Sequence, residues 1–206
     1  MAKKEFRLIT PLVKEIFVKS IEKPVDFFIR LNVNPNFFTI LGLILSGIGA
    51  FFYGFGMLRL GGVAILLGGI SDTFDGKIAR SRGIASKFGA VLDSSLDRYA
   101  EFFMFFGIMA YLNKFQSPLY QLTVIVAFLA LMGSILVSYV RARAEGLGLD
   151  GNVGMMQRAE RIVLIGIASL IHEYALIGVV WIVAFFANVT AIQRIHHVWK
   201  TEKAER

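Results

Sequence analysis

Residues 72–98 read DTFDGKIARSRGIASKFGAVLDSSLDR, with four carboxylates, Asp72, Asp75, Asp93 and Asp97, inside one short window. On a helix, Asp72, Asp75, Gly76, Ala79 and Arg80 follow the i, i+3, i+4, i+7, i+8 pattern and share one face. Gly89, Asp93 and Asp97 follow i, i+4, i+8 and share a face of the next helix. The link from Ser81 to Lys87 is short, which predicts two antiparallel neighbouring helices whose acidic faces meet.

Outward from this window the chain turns strongly apolar. Of its 206 residues 56% are hydrophobic, and the mean hydropathy of +0.64 is too high for an ordinary soluble domain. Cysteine is absent, so neither a disulfide framework nor thiol chemistry is available. The net charge of +7 is no nucleic-acid footprint, because the basic residues sit in short blocks between apolar runs. Such blocks beside apolar spans mark contact with anionic headgroups and cytoplasmic loops. No cleavable signal peptide is read at the start of the chain.

A bilayer core of about 30 Å takes roughly 20 apolar residues per helical span. Candidate spans run from Thr39 to about Gly56, and from Leu60 to about Ile70 with a helical continuation into the polar window. Others run from about Phe88 to Leu112 and from Leu119 to about Val140. The stretch from Ile162 to Ile195 is too long for one span and is broken at His172-Glu173. The predicted fold is therefore an all-α integral membrane protein with six transmembrane helices. Seven Lys and Arg precede the first span, four lie between Lys77 and Lys87, four between Arg141 and Arg161, and four from Arg194 onward. The opposite loops hold only Arg59 and Lys114. This asymmetry predicts a multi-pass protein of the cell membrane with both termini, and the acidic window, on the cytoplasmic side.

Residues 11–31 mix Leu, Val, Ile and Phe with Lys and Glu at helical spacing and read as an N-terminal amphipathic helix in the interface. The chain reads as a single domain over 1–206, of which 1–38 form the cytoplasmic and interfacial segment.

Four carboxylates gathered near a membrane repel one another unless cations sit among them. An all-oxygen acidic site without His or Cys suits Mg²⁺ or Mn²⁺ better than zinc. Two such ions can polarise a phosphate and stabilise its displacement. Gly76, Ala79 and Gly89 on the same faces leave room for a substrate. Helix capping by these Asp residues is the plainer reading, but Asp93 and Asp97 begin a helix that runs on through AEFFMFFGIMAYL. Ionisable residues facing into a membrane bundle are functional by default.

At this window the sequence resembles the CDP-alcohol phosphotransferases. Their signature, D-x₂-D-G-x₂-A-R-x₈-G-x₃-D-x₃-D, is matched at Asp72, Asp75, Gly76, Ala79, Arg80, Gly89, Asp93 and Asp97. The resemblance implies six membrane helices, an N-terminal amphipathic helix and a homodimer. It implies that Asp72, Asp75 and Asp93 bind two divalent metals, and that Asp97 acts as general base and also touches one metal. It further implies a CDP-lipid site at Asn36, Phe37, Phe38 and Thr39, with Gly76, Arg80 and Ser86. The residues alone read Pro35-Asn36 as a turn and helix start capped by Asn36 or Thr39. The implied donor is CDP-diacylglycerol or an ether-lipid equivalent.

The acceptor is read from SYVRARAEGLG and GMMQRAERIV, which put Ser138, Arg141, Arg158 and Arg161 on the cytoplasmic side. Arginine forks suit phosphate, so these residues predict a phosphorylated polyol; their plainer role is the positive-inside bias. Within the family, SYVRARAEG followed by RAER is most similar to phosphatidylinositol-phosphate synthases, which implies inositol 1-phosphate. Those enzymes usually carry Lys where Arg141 stands. Glycerol 3-phosphate, or CDP-inositol as donor for an inositol phosphodiester, are the alternatives inside the family. An ion-coupled transporter is the alternative outside it, although transporters place such carboxylates near the bilayer midplane. His196-His197 reads as a solvated pair, His172-Glu173 as a turn, and Ser46, Ala50 and Gly54 as a helix-packing stripe.

Overall fold

The computed structural model describes residues 11–151 and 153–205. Among them the chain is all-helical, with α1 Pro11–Arg30, α2 Pro35–Gly54, α3 Leu58–Ser81, α4 Lys87–Leu112, α5 Pro118–Gly146, α6 Arg158–Ile171 and α7 Glu173–Glu205. Local chemistry sets the boundaries. Asn34, and not Asn36 or Thr39, caps α2: its side chain accepts the Asn36 N–H at 3.0 Å, with Pro35 in the first turn. Gly83 follows α3 at φ +64°, a left-handed position that glycine adopts without steric cost. Ser86 caps α4 by accepting the Gly89 N–H at 3.0 Å. The break expected at His172-Glu173 is present, with His172 extended between α6 and α7.

Three helices among the described residues are long and apolar enough to cross a membrane: Pro35–Gly54, Pro118–Gly146 and Glu173–Lys203. Large side chains such as Ile44, Phe51, Ile125, Phe128, Trp181 and Phe185 stand exposed along these three helices. Apolar residues on the outside of a bundle are what a lipid-facing surface presents. The main core is formed by Tyr53, Phe105, Ile108, Ala127, Ile165, Val180 and their neighbours.

The helices flanking the acidic window bring their acidic ends together as expected, but without packing broadly on each other. α2 packs broadly against both α3 and α4, whereas α3 and α4 touch over only a few residues. Glycine permits this close approach. A Cβ on Gly68 would stand 3.1 Å from the Gly42 carbonyl, and one on Gly107 would stand 2.5 Å from Ala50 Cα. Ser46 and Ala50 of the predicted stripe do lie at these contacts, but Gly54 faces nothing within 4 Å. Because Ala50 opposes Gly107 with backbone, Gly107→Val is expected to lower stability by about 1–3 kcal/mol through overpacking. Thermal unfolding in detergent measures this, with Gly54→Ala, at an open position, as the control.

α1 lays Ile21 and Val25 against Phe38, Phe74 and Ile78, while the opposite side of its residues 19–30 stays exposed. Arg82 donates to the Val33 carbonyl at 2.9 Å and to Asn32. This ties the α1–α2 turn to the α3–α4 loop and brings the start of α2 beside the acidic window.

Candidate active site at the ends of α3 and α4

The last turns of α3 carry Asp72 and Asp75, and the first turns of α4 carry Asp93 and Asp97. Carboxylate oxygens of Asp72, Asp75 and Asp93 lie within 4.8 Å of one another. Asp75 is 6% exposed, and the Thr39 side chain at the start of α2 faces its carboxylate. Asp97 adjoins the group through a shared partner: Nη1 of Arg158, on α6, lies 2.7 Å from both Asp72 Oδ2 and Asp97 Oδ1.

These residues fit divalent metal by two observations. Asp75 Oδ2 and Asp93 Oδ1 are buried with no hydrogen-bond partner, and a buried carboxylate oxygen left unpaired costs free energy that a cation relieves. The donor set is entirely oxygen, the set that hard ions such as Mg²⁺ and Mn²⁺ take. Asp72, Asp75 and Asp93 would hold metal, with Asp97 at the edge of the group.

The seven residues expected to contact the CDP-lipid separate into groups. Thr39 faces Asp75, and the Arg80 guanidinium folds over Gly76, where an added Cβ would stand 3.0 Å from Arg80 Nη1. Phe37 is exposed at the start of α2 and Asn36 is half-buried. Phe38 instead turns inward, with its ring 4.9 Å from Phe28 and 5.5 Å from Phe74, because it lies on the side of α2 covered by α1. Ser86 uses its oxygen to cap α4.

The four residues expected at the acceptor phosphate have different surroundings. Ser138 is half-buried on α5, and Arg141 is exposed and paired with Glu145 at 2.7 Å. Arg158 sits at the carboxylates. Arg161 is 0% exposed and spends its donors on Glu101 Oε1, at 2.8 and 2.5 Å, and on the Met156 carbonyl at 2.9 Å. A guanidinium so committed braces the α5–α6 connection against α4 and presents nothing to solvent.

Glu101 was missed in the sequence, although it extends the Gly89, Asp93, Asp97 stripe by one more turn of α4. Arg194 was also missed; it is a buried arginine of α7 that donates to the Val137 and Val153 carbonyls at 2.7 and 2.8 Å. Its signal was its place as the first basic residue after the apolar run of α7.

This assembly of acidic helix ends on an all-helical membrane scaffold is that of a known enzyme class. The chain belongs to the CDP-alcohol phosphatidyltransferase family, whose profile matches residues 32–193. Within it, the chain is similar to enzymes that make inositol phospholipids. It is 36% identical over 173 residues to archaetidylinositol phosphate synthase of Pyrococcus horikoshii, covering 82% of this chain and 86% of that one. It is also similar to crystal structures of phosphatidylinositol phosphate synthase of Mycobacterium tuberculosis, at 31% identity and 86% coverage of this chain. The form with CDP-DAG bound gives a TM-score of 0.76 over 92% of that chain. The complex with manganese and citrate gives 0.77 over 88% of that chain.

Proposed function

We propose that this chain transfers the phosphatidyl group of a CDP-activated lipid to a hydroxyl of inositol 1-phosphate, releasing CMP. The donor is CDP-diacylglycerol or its ether-lipid equivalent. The observation that carries this reading is the convergence of Asp72, Asp75 and Asp93 within 4.8 Å, with Asp97 beside them, in a chain similar to two kinds of inositol-phospholipid synthase.

Thr39, Gly76 and Arg80 flank the carboxylates and would orient the diphosphate, aided by Asn36, Phe37 and Ser86 toward the nucleotide. Asp97, 14% exposed on its side chain, accepts the proton of the acceptor hydroxyl. The hydroxyl oxygen then attacks the phosphorus nearest the lipid, and the bond from that phosphorus to the CMP oxygen breaks. Two divalent ions, Mg²⁺ or Mn²⁺, when bound would polarise the diphosphate and offset the charge of departing CMP. The protein's own contribution is positioning and electrostatic preorganisation. Ser138, Arg141 and Arg158 are the residues for the acceptor's phosphate.

The same reading places six spans, α2 to α7, across the membrane, with α1 in the interface and both termini on the cytoplasmic side. The positive-inside distribution supports this. The family resemblance supports a homodimer.

The experiment is CMP release by the purified chain from CDP-diacylglycerol, across inositol 1-phosphate, glycerol 3-phosphate, inositol and serine. Inositol 1-phosphate is expected to be preferred and unphosphorylated inositol to be poor. Arg141→Ala is expected to lower kcat/KM for the acceptor roughly ten- to a hundredfold, chiefly through KM, the loss of about 1.5–3 kcal/mol typical of a charge-assisted contact. Equal use of inositol or serine overturns the phosphate reading, and preference for glycerol 3-phosphate reassigns the acceptor. Absence of CMP release with every acceptor overturns the transferase itself.

A further inference from the structure

Arg158 and Arg161 lie three residues apart on α6, yet their guanidinium groups are engaged in opposite ways. Arg161 is fully buried, and its Nε, Nη1 and Nη2 all have partners. Arg158 keeps 18% of its side chain exposed, and its Nη1 lies 2.7 Å from both Asp72 and Asp97. Its buried Nε has no partner. A guanidinium grips one carboxylate best as a two-pronged fork. A prong shared between carboxylates of two different helices is not that grip on one carboxylate. Arg161 is therefore a fixed brace, whereas Arg158 is held by charge with little geometric lock.

Both of its partners belong to the acidic group. Asp72 is one of the three residues whose oxygens converge, and Asp97 adjoins them. A divalent cation entering that group competes for the Asp72 oxygens and repels a neighbouring guanidinium. A guanidinium displaced there suits a phosphate dianion.

We propose that Arg158 is an exchangeable internal cation, which neutralises Asp72 and Asp97 until divalent metal takes their oxygens and is then handed to the phosphate of the acceptor. This rests on the function proposed above. It makes metal and acceptor binding cooperative, since whatever captures Arg158 removes a competitor from the carboxylates, and the coupling is reciprocal. Metal then binds more weakly by the reciprocal of the fraction of time that the carboxylates are free of Arg158.

The test is Mn²⁺ binding to the full-length protein in detergent, with free Mn²⁺ read by its EPR signal and corrected for phosphate complexes. Arg158→Gln is expected to bind Mn²⁺ about tenfold more tightly than wild type, as for a competitor present roughly nine-tenths of the time. Arg158→Lys, which keeps the charge, is expected to stay nearer wild type. Inositol 1-phosphate, glycerol 3-phosphate or inorganic phosphate should tighten Mn²⁺ binding to wild type several-fold and leave Arg158→Gln unmoved. Unchanged or weaker binding by a folded Arg158→Gln overturns the exchange. Should that variant not fold, wild-type affinity indifferent to all three phosphates overturns it equally. Wild type that binds no Mn²⁺ instead overturns the metal site, and with it the function on which the exchange rests.

Discussion

Asp97→Asn is expected to cut CMP release by about a thousandfold or more while CDP-lipid binding largely survives. A positioned general base contributes roughly 10²–10⁴ in rate, and Asp97 is also a partner of Arg158, so the amide loses both the proton acceptor and a charge. Asp72, Asp75 and Asp93, whose oxygens already converge, are untouched, so most of the binding of metal and diphosphate survives. Single-turnover CMP release beside equilibrium binding of the CDP-lipid separates the two effects. Retention of more than a few per cent of the rate removes Asp97 from the role of base. Loss of lipid binding in parallel with rate makes it a ligand and no more.

Chelation is expected to have the other large effect. EDTA should abolish CMP release, and Mg²⁺ or Mn²⁺ should restore it, because Asp75 Oδ2 and Asp93 Oδ1 have no protein partner to replace a cation. Ca²⁺ should inhibit: its coordination is looser, with bonds of about 2.3–2.6 Å against about 2.0–2.1 Å for Mg²⁺, which misplaces the diphosphate. Initial rates in chelator, with each ion added back, measure this. Full activity in EDTA would remove metal from the chemistry.

These predictions draw on features of unequal legibility. Asp72, Asp75, Asp93 and Asp97 could be read from spacing because helical periodicity maps sequence distance directly onto a shared face. The break at His172 was legible because an apolar run of that length exceeds one span. The start of α2 was less so. Asn34, Asn36 and Thr39 can each cap a helix in principle, and only backbone geometry selects Asn34.

Long-range pairing stayed out of reach for a related reason. Nothing in the spacing of Arg158 and Arg161 says that one reaches Asp72 and Asp97 while the other is buried on Glu101. Both obey the positive-inside pattern equally well, and a charge count cannot tell a substrate contact from a structural ion pair. Likewise the facing of Phe38 depends on α1 covering that side of α2, a contact between separate helices.

By itself, then, the sequence determined the helical class, the apolar runs, the four carboxylates and the faces they share, since each follows from local periodicity or composition. Only the tertiary structure decided that α2 packs against both α3 and α4, that Thr39 meets Asp75, and that the two arginines of α6 have different partners. Those outcomes depend on which surfaces approach closely enough to exclude solvent. Glycines such as Gly68 and Gly107 permit that approach without announcing which helix will arrive.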